Sequence, residues 1–287
     1  MKNFHFTLLS LFVVWLPLQA QKLTVLTKTD SISIPYAHLI FYKNGKAIGG
    51  TYSNEKGIAF LDFNDRLDSI KISNILSKPA VIDGFNLPDS VYLLESKTIL
   101  DEQLVYASSS SNPRFLGYRK KRKKSSWLVS TGIEIITLIP NSFKETRELG
   151  SFIFYLKKGK PNTSPELKIV FYKNNDGFPG TRLPYEKIVK LDSIKKGKVR
   201  VDFLSSHIII PKEGVFAGIE WMGCIKDQNL IEHKGSSECS RGILCNKGQL
   251  KNTSVTYIRE VFQYQNWENI DERINFPIIP IFGLEVY

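Results

Sequence analysis

The chain has 287 residues, of which 42% are hydrophobic and 12% aromatic, and it carries a formal net charge of +11. The positive charge is concentrated: residues 113–126 contain seven Lys or Arg and no Asp or Glu, whereas residues 22–112 contain nine basic and ten acidic side chains. A protein that binds nucleic acid usually has a basic surface spread over one face of a domain. The composition therefore argues against a nucleic-acid partner.

The first 20 residues have the three-part pattern of a secretory signal. Lys2 is followed by an apolar run from Phe6 to Leu18 and by small or polar residues through Gln21. This pattern predicts a signal peptide over residues 1–20, cleaved after Ala20. The run is shorter than the roughly 20 residues that a membrane-spanning helix needs, and no later run approaches that length. We therefore expect an exported protein without a transmembrane segment, located in the periplasm, at the outer membrane or at the cell surface.

The remaining sequence is long enough for two domains and has the pattern of an all-β protein. Short apolar runs rich in aromatic and β-branched residues alternate with turn residues, which is typical of antiparallel sandwiches. Asn44-Gly45 supplies the positive φ angles of a tight hairpin turn. Within residues 21–106 these runs predict eight strands: Lys22–Thr27, Tyr36–Tyr42, Lys46–Tyr52, Gly57–Phe63, Ser69–Ser73, Ala80–Phe85, Ser90–Leu94 and Ile99–Tyr106.

Four short motifs in residues 21–106 occur in an order and spacing that resemble the carboxypeptidase-regulatory-like domain. They are Ile34-Pro35-Tyr36-Ala37, Gly50-Thr51, the turn and strand from Asn54 to Phe60, and the strand from Asp68 to Ser73. The resemblance implies a transthyretin-like, seven-stranded β-sandwich. Since no catalytic constellation is found in either predicted sandwich, we interpret this one as a spacer or docking module.

The segment from Leu100 to Val105 resembles the tail that follows this domain in TonB-dependent outer-membrane receptors. That resemblance implies an alternative function, as an accessory to TonB-dependent transport. The sequence that follows lacks the repeated alternating strands of about ten residues that an outer-membrane barrel needs. We therefore interpret the segment as the last strand of the first domain.

Residues 107–126 have the composition of a linker. A serine run is followed by Asn112-Pro113 and then by six consecutive basic residues, and both features oppose compact packing. Two interpretations of the basic run remain open: a solvated linker, or a contact patch for anionic headgroups, lipopolysaccharide or an acidic glycan. The candidate contact residues are Arg119, Lys120, Lys121, Arg122, Lys123 and Lys124.

Residues 127–287 contain a second series of predicted strands, which begins with one long strand from Trp127 to Pro140. The strand and turn from Tyr172 to Gly180, the strand Val199–Phe203 and the strand from Gly214 to Trp221 resemble jelly-roll-like domains of exported bacterial proteins. That resemblance implies a second β-sandwich without a settled activity. Together the two regions predict an all-β protein of two sandwiches.

Three cysteines, Cys224, Cys239 and Cys245, lie in the second domain. In an oxidising compartment two interpretations remain open: one disulfide among them, whose pair the sequence does not identify, or three unpaired thiols. His233 with Cys239 and Cys245 has residue types that suit zinc, but the spacing is wider than that of structural zinc sites and a fourth ligand is missing. We therefore predict no metal site and no cofactor.

The sequence offers few candidates for catalysis. His38 and His207 lie beside apolar strand residues without a nucleophile motif, so we interpret them as strand positions. A hydrolase that uses scattered carboxylates remains an alternative, with Glu134, Asp202 and Glu220 as candidates.

Oxygens of Asn174 and Asp176 could contact calcium, although a single Asp with the following Gly is more typical of a hairpin turn. With no catalytic motif in view, we predict a non-catalytic binding or scaffold protein of the bacterial envelope. Its ligand is expected to be a glycan or an envelope protein.

Overall fold

The computed structural model describes residues 21–61, 66–96, 112–121, 124–159, 164–191, 196–226, 230–231, 239–247, 255–270, 272 and 278–287. These residues form 22 strands and one short 3-10 helix, and Ile270 and Glu272 are also helical. The predominance of strands confirms the predicted all-β fold. Among the residues described, none belongs to a helix long and apolar enough to span a membrane. The predicted signal peptide and the segment from Leu100 to Val105 lie outside the described residues.

Seven strands between residues 21 and 93 form the first sandwich. One sheet has the order β4-β1-β7 and the other has the order β3-β2-β5-β6. Within the three-stranded sheet β1 runs parallel to β7 and antiparallel to β4. The strands are β1 (Gln21–Thr27), β2 (His38–Lys43), β3 (Lys46–Tyr52), β4 (Ile58–Leu61), β5 (Ser69–Asn74), β6 (Ser77–Asp83) and β7 (Ser90–Leu93).

The core of the first sandwich follows the two-residue period of its strands. Leu23 and Val25 of β1 and Ile70 and Ile72 of β5 are fully buried, and the residues between them are more exposed. Side chains of alternate strand residues point to opposite faces of a sheet, so each sheet directs one apolar face inward. The turn at Asn44-Gly45 has positive φ at both residues, as a tight hairpin requires.

The second sandwich consists of a seven-stranded and an eight-stranded sheet. The seven-stranded sheet has the order β13-β12-β16-β10-β19-β20, with β17 paired to β16. The eight-stranded sheet has the order β21-β18-β11-β22-β8, with β14 and β15 paired to β11 and β9 paired to β18. The strands and the helix, in chain order, are β8 (Arg114–Gly117), β9 (Lys124–Val129), β10 (Ile133–Ile139), β11 (Arg147–Leu156), β12 (Pro165–Asn175), β13 (Phe178–Lys190), β14 (Gly197–Asp202), η1 (Leu204–Ser206), β15 (Ile209–Ile210), β16 (Val215–Lys226), β17 (Leu230–Ile231), β18 (Arg241–Lys247), β19 (Thr256–Glu260), β20 (Tyr264–Asn269), β21 (Ile278–Pro280) and β22 (Gly283–Val286).

The central strands of the seven-stranded sheet are buried on both faces. Ile169 and Phe171 of β12 point into the core between the two sheets, whereas Lys168, Val170 and Tyr172 point to the opposite face and are also buried. The β12–β13 hairpin lies at one edge of this sheet, yet its tip contacts β19 near the other edge, so the sheet is curled. There the Phe178 and Tyr257 rings lie 5.2 Å apart. The second face is therefore concave and enclosed.

Part of the predicted linker 107–126 belongs to the second sandwich instead. Leu116 of β8 pairs with Leu284 of β22, and Ser126 of β9 pairs with Leu244 of β18. The linker-like composition of the serine run and Pro113 ends where β8 begins. Within β8, Leu116 is buried, and the basic residues on either side of it are exposed. The second sandwich therefore begins by Arg114, and residues 107–111 lie outside the described part.

One long strand predicted from Trp127 to Pro140 is two strands. The chain turns at Gly132, whose φ of 81° is open to glycine and strained for other residues, and β9 and β10 enter different sheets. An added Cβ at Gly132 would lie 2.7 Å from the Phe262 ring, so glycine is needed for space as well.

The two sandwiches meet in an apolar contact. Ile40 and Tyr52 of the first sandwich pack against Met222, Val261 and Phe262 of the second. The Tyr52 and Phe262 rings are 4.9 Å apart in an edge-on arrangement, which is favourable for aromatic pairs. The contact covers one end of the concave face, beside the polar side chains described next.

Candidate functional site

A row of charged residues crosses the concave face of the seven-stranded sheet. Arg259 of β19 pairs in register with Glu134 of β10, Glu134 with Glu220 of β16, and Glu220 with Lys168 of β12. The two carboxylates are therefore direct cross-strand neighbours, an arrangement that is unfavourable unless cations compensate it. Both Glu134 and Glu220 have no exposed surface, so water does not compensate them.

Arg259 and Tyr172 neutralise and hydrogen-bond Glu134. Arg259 Nε donates to Glu134 Oε2 at 2.8 Å, and the hydroxyl of Tyr172 donates to Glu134 Oε1 at 2.6 Å. Arg259 Nη2 also donates to the Tyr172 hydroxyl at 2.7 Å, which closes a three-membered network. Trp267 lies beside it, with the Arg259 guanidinium 4.3 Å from its ring centroid.

The first sandwich supplies two of the groups that contact Glu220. The Tyr52 hydroxyl donates to Glu220 Oε1 at 2.8 Å, and His38 Nε2 lies 3.0 Å from the same oxygen. Lys168 Nζ lies 3.2 Å from His38 Nε2 and donates to the carbonyl of Tyr36 at 3.1 Å. This carboxylate of the second sandwich thus holds two strands of the first.

Arg182 of β13 lies between the acidic groups. Its Nη1 atom is 3.5 Å from Glu220 Oε2, and its Nη2 atom donates to Glu186 Oε2 at 2.9 Å. Burial opposes the charge on Arg182, but Tyr172, Glu220, Glu134 and Glu186 outweigh it and raise the pKa of the guanidinium. Arg182 therefore keeps the charge that the two cross-strand carboxylates require.

We call this set of eight residues the interdomain cluster: His38, Tyr52, Glu134, Lys168, Tyr172, Arg182, Glu220 and Arg259. Burial alone would raise the pKa of Glu220, but His38, Lys168 and Arg182 hold it well below its usual range. Burial lowers the pKa of His38 despite the attraction of Glu220. Burial, with Glu220, raises the pKa of Tyr52 well above its usual range.

The arrangement keeps Glu220 ionised and His38 and Tyr52 neutral. Since the pKa of Glu220 is held well below its usual range, the carboxylate is ionised at neutral pH and carries no proton to donate as a general acid. Its oxygen Oε1 accepts the Tyr52 hydroxyl, and its oxygen Oε2 lies 3.5 Å from Arg182 Nη1. The third predicted carboxylate, Asp202, lies in β14 of the other sheet, where it accepts a hydrogen bond from the backbone of Leu204. The structure thus brings Glu134 and Glu220 together but not Asp202.

Glu166 lies near the cluster on β12 and lacks comparable compensation. It is 1% exposed, and within the described part of the chain neither of its carboxylate oxygens accepts a hydrogen bond. Lys190 Nζ lies 3.4 Å from one oxygen and also forms an ion pair with Glu55 of the first sandwich. Burial raises the pKa of Glu166 to about 7. This carboxyl group therefore binds its proton more tightly than an exposed glutamate does.

The predicted contact residues of the basic run lie elsewhere, on the eight-stranded sheet. Arg119, Lys120 and Lys121 are exposed residues after β8. Lys124 is the first residue of β9, and Arg122 and Lys123 lie outside the described residues. None of the described members of this run reaches the interdomain cluster.

Asn174 and Asp176 form a turn at the tip of the β12–β13 hairpin. Asp176 and Gly177 both have positive φ, which is the geometry of a two-residue hairpin loop. The Asn174 side chain accepts the Gly177 N–H at 2.8 Å and donates to the carbonyl of Glu213 at 3.0 Å. The side-chain oxygen of Asn174 therefore stabilises a hairpin turn, which is the structure that the sequence favours over a calcium loop.

Cys224 and Cys239 form a disulfide, and Cys245 is a buried free thiol. Burial raises the pKa of Cys245 to about 12, so this thiol is unreactive at neutral pH. Among the described residues no group of three or more His, Cys, Asp or Glu could hold a metal ion. His233, the remaining residue of the zinc alternative, lies outside them.

The sequence interpretation missed most of the interdomain cluster. It placed His38 as an ordinary strand residue and did not single out Tyr52, Lys168, Arg182 or Arg259. A signal was present, because Lys168 interrupts the apolar run of β12 and Glu220 interrupts that of β16. A charge within a strand that is otherwise apolar on both faces indicates a buried ionic partner.

Comparisons with known proteins give little further information. No family model and no curated protein matches the chain. Two solved structures are similar at a TM-score of 0.40. One contains the cysteine protease and lectin-like domains of Cwp84, a surface-layer-associated protein of Clostridium difficile, at 12% identity over 83% of this chain and 44% of that one. The other is the clostridial cysteine protease Cwp84 after propeptide cleavage, at 9% identity over 93% of this chain and 70% of that one.

The chain thus spans less than half the length of the first of these structures. A TM-score of 0.40 assigns neither a family nor a function to this chain.

Proposed function

We propose that this chain is an exported, non-catalytic binding or scaffold protein of the bacterial envelope, in which two β-sandwiches are joined as one rigid unit. The observation that carries the proposal is the state of Glu134 and Glu220. These two carboxylates are the candidates for hydrolysis that the structure brings together, yet both are fully buried and paired with cations. Glu220 joins the two sandwiches through His38 and Tyr52, and the outer faces are left for contacts.

The first sandwich acts in this proposal as a carboxypeptidase-regulatory-like spacer. Its seven strands in two sheets support that assignment, as does the turn at Asn54, whose side chain accepts the N–H groups of Lys56 and Ile58. Export rests on the signal pattern at the start of the sequence. Intact-mass analysis of the protein from its native envelope is expected to show a chain that begins at Gln21.

The non-catalytic assignment is tested by measuring binding and turnover on the same polymers. Purified mature protein is incubated with peptidoglycan, lipopolysaccharide and acidic and neutral polysaccharides, and both retention and new reducing ends or free amino groups are measured. We expect retention on at least one polymer without product. Product formation would contradict the proposal, and its loss in Glu134→Gln would show that the buried pair is the hydrolytic site.

A further inference from the structure

The outer face of the eight-stranded sheet carries a compact group of basic and aromatic side chains. Phe115, in β8, lies in register with Glu285 of β22, and Glu285 in turn lies in register with Ser151 of β11. Tyr155 of β11 is paired with Lys198 of β14, and Arg200 lies two residues further along β14. We call the following set the basic face: Phe115, Arg119, Lys120, Tyr155, Lys157, Lys198 and Arg200.

The segment that bears Arg119 and Lys120 is attached to the sheet. Asn246 of β18 donates to the carbonyl of Arg119 at 3.0 Å and accepts the N–H of Lys121 at 3.0 Å. The backbone N–H of Tyr118 donates to the carbonyl of Phe282 at 2.8 Å, and its hydroxyl donates to the carbonyl of Leu138 at 3.0 Å. Because the backbone is fixed on both sides, these cations are presented on a surface and not on a loose linker.

Aromatic rings hold the cations close to the sheet, and Gly283 leaves the space that one of these rings occupies. The Arg119 guanidinium lies 4.7 Å from the Phe115 ring centroid, and Lys120 Nζ lies 5.5 Å from that of Tyr155. The Phe115 ring lies over Gly283, where an added Cβ would be 2.3 Å from it. Cation–π contacts of this kind fix the position of a charge at the surface. The aromatic rings are correspondingly covered by charge.

The positive charge of the basic face is only partly compensated. Glu285 accepts a hydrogen bond from Arg200 Nε at 2.7 Å, lies 3.9 Å from Lys198 Nζ and accepts the Ser151 hydroxyl at 2.6 Å. Among the described residues, no carboxylate forms an ion pair with Arg119 or Lys120. Glu285 is thus shared by Lys198 and Arg200, while the cations of Arg119 and Lys120 face solvent. A surface with this excess of positive charge attracts anions.

We propose that the basic face binds an acidic polysaccharide through its repeated carboxylates. The inference rests on the proposed binding function and names the ligand class. β8, β22, β11 and β14 are neighbouring strands, so the cations extend over three strand spacings, about 14 Å. A flat, rigid row of charges on that scale complements an extended polyanion.

A lipid surface fits the basic face less well. Stable binding to a bilayer gains from apolar side chains that insert between the lipids. Here Phe115 and Tyr155 are half-buried and lie beneath Arg119 and Lys120. Leu128 of β9 is the one exposed apolar side chain described beside the basic face: it is 67% exposed and is paired with Gly242, over which Lys157 lies. Its replacement therefore distinguishes binding to a lipid bilayer from binding to a polysaccharide.

The test is equilibrium binding of the mature protein to polygalacturonate, with dextran as the neutral polymer. The site variant is Arg119→Ser/Lys120→Ser/Lys198→Ser, and the control is Lys28→Ser/Lys46→Ser/Lys78→Ser, which removes the same charge from exposed residues of the first sandwich. Each cation near an anionic surface contributes substantially to affinity, so we expect the site variant to bind at least about tenfold more weakly. We expect the control to change by less than about twofold, and binding of the wild type to weaken as salt is raised.

Three results would overturn this inference: no retention of the wild type on polygalacturonate, an equal loss in both triple variants, or retention only on phosphatidylserine vesicles that Leu128→Ser abolishes. Leu128→Ser is expected to leave binding to the polymer unchanged. New reducing ends would instead contradict the proposed function, whatever the affinity. The two proposals therefore fail on different readouts.

Discussion

The interdomain cluster and the basic face are built from the same kinds of side chain but in opposite surroundings. In the cluster, the fully buried Glu220 contacts the buried hydroxyl of Tyr52 and the half-buried Arg182, and it joins two sandwiches. On the basic face, Arg119 and Lys120 lie on half-buried rings and their charges face water. Removing a charge from the cluster is therefore expected to lower the free energy of unfolding strongly, whereas removing one from the basic face is expected to change it little.

The largest effect is expected from Glu220→Gln. The change removes the buried carboxylate charge beside Lys168 and Arg182 and leaves them only the partly exposed Glu186 as counterion. Loss of one partner from a buried ion pair costs about 3–5 kcal/mol. Urea unfolding should show this decrease in the free energy of unfolding. Glu213→Gln is the control, because Glu213 is 54% exposed and should change stability by less than about 0.5 kcal/mol. Equal, small effects of both changes would remove the contrast between the two regions.

Gly50→Ala tests the apolar part of the contact between the sandwiches. An added Cβ would lie 2.5 Å from the Phe262 ring and 2.3 Å from the carbonyl oxygen of Leu39. Overpacking of this kind costs about 1–3 kcal/mol. Gly49→Ala is a matched control, since its Cβ would meet nothing within 4 Å. If thermal unfolding gives the same result for both variants, the two sandwiches are not packed as described.

Glu166→Gln is expected to stabilise the protein at alkaline pH. Because the pKa of Glu166 is raised from 4.5 to about 7, its contribution to stability is fully present below pH 4.5 and is lost as pH rises through 7. The neutral amide avoids that loss, which we place at about 1–2 kcal/mol at pH 8 because Lys190 offsets part of it. Urea unfolding of both proteins at pH 8 and pH 4 is the measurement. A difference that is as large at pH 4 as at pH 8 would contradict the assignment to ionisation.

The smallest effect is expected from the triple variant of the basic face, Arg119→Ser/Lys120→Ser/Lys198→Ser. Exposed cations contribute little to stability, and we expect a decrease below about 1 kcal/mol for the three changes together. Urea unfolding of the same preparation used for polymer binding checks this. A decrease comparable with that of Glu220→Gln would mean that these cations maintain the fold instead of facing a ligand.

Much of the fold was predictable because period-two patterning is a local property of the sequence. The strands around Leu23 and Ile70 were identified from alternation alone, and the tight hairpins at Asn44 and Asp176 from turn chemistry. The break at Gly132 was not identified, because the apolar residues on both sides of it continue one pattern while β9 and β10 enter different sheets.

The interdomain cluster was only partly predictable. Glu134 and Glu220 stood out as candidate carboxylates, but their partners come from strands distant in the sequence: His38 from β2, Lys168 from β12 and Arg259 from β19. Which residues face each other depends on strand order and register, and neither is encoded in local periodicity. The same limit applies to the basic run, whose attachment depends on Asn246.

Hydrogen exchange as a function of urea, read by mass spectrometry, tests most directly whether the buried cluster joins the two sandwiches into one unit. Peptides that cover β3, which carries Tyr52, and β16, which carries Glu220, are compared in the wild type. If the cluster joins the sandwiches into one unit, both peptides open with the same free energy and the same dependence on urea. Opening of the β3 peptide at a clearly lower free energy, while β16 remains protected, would contradict it.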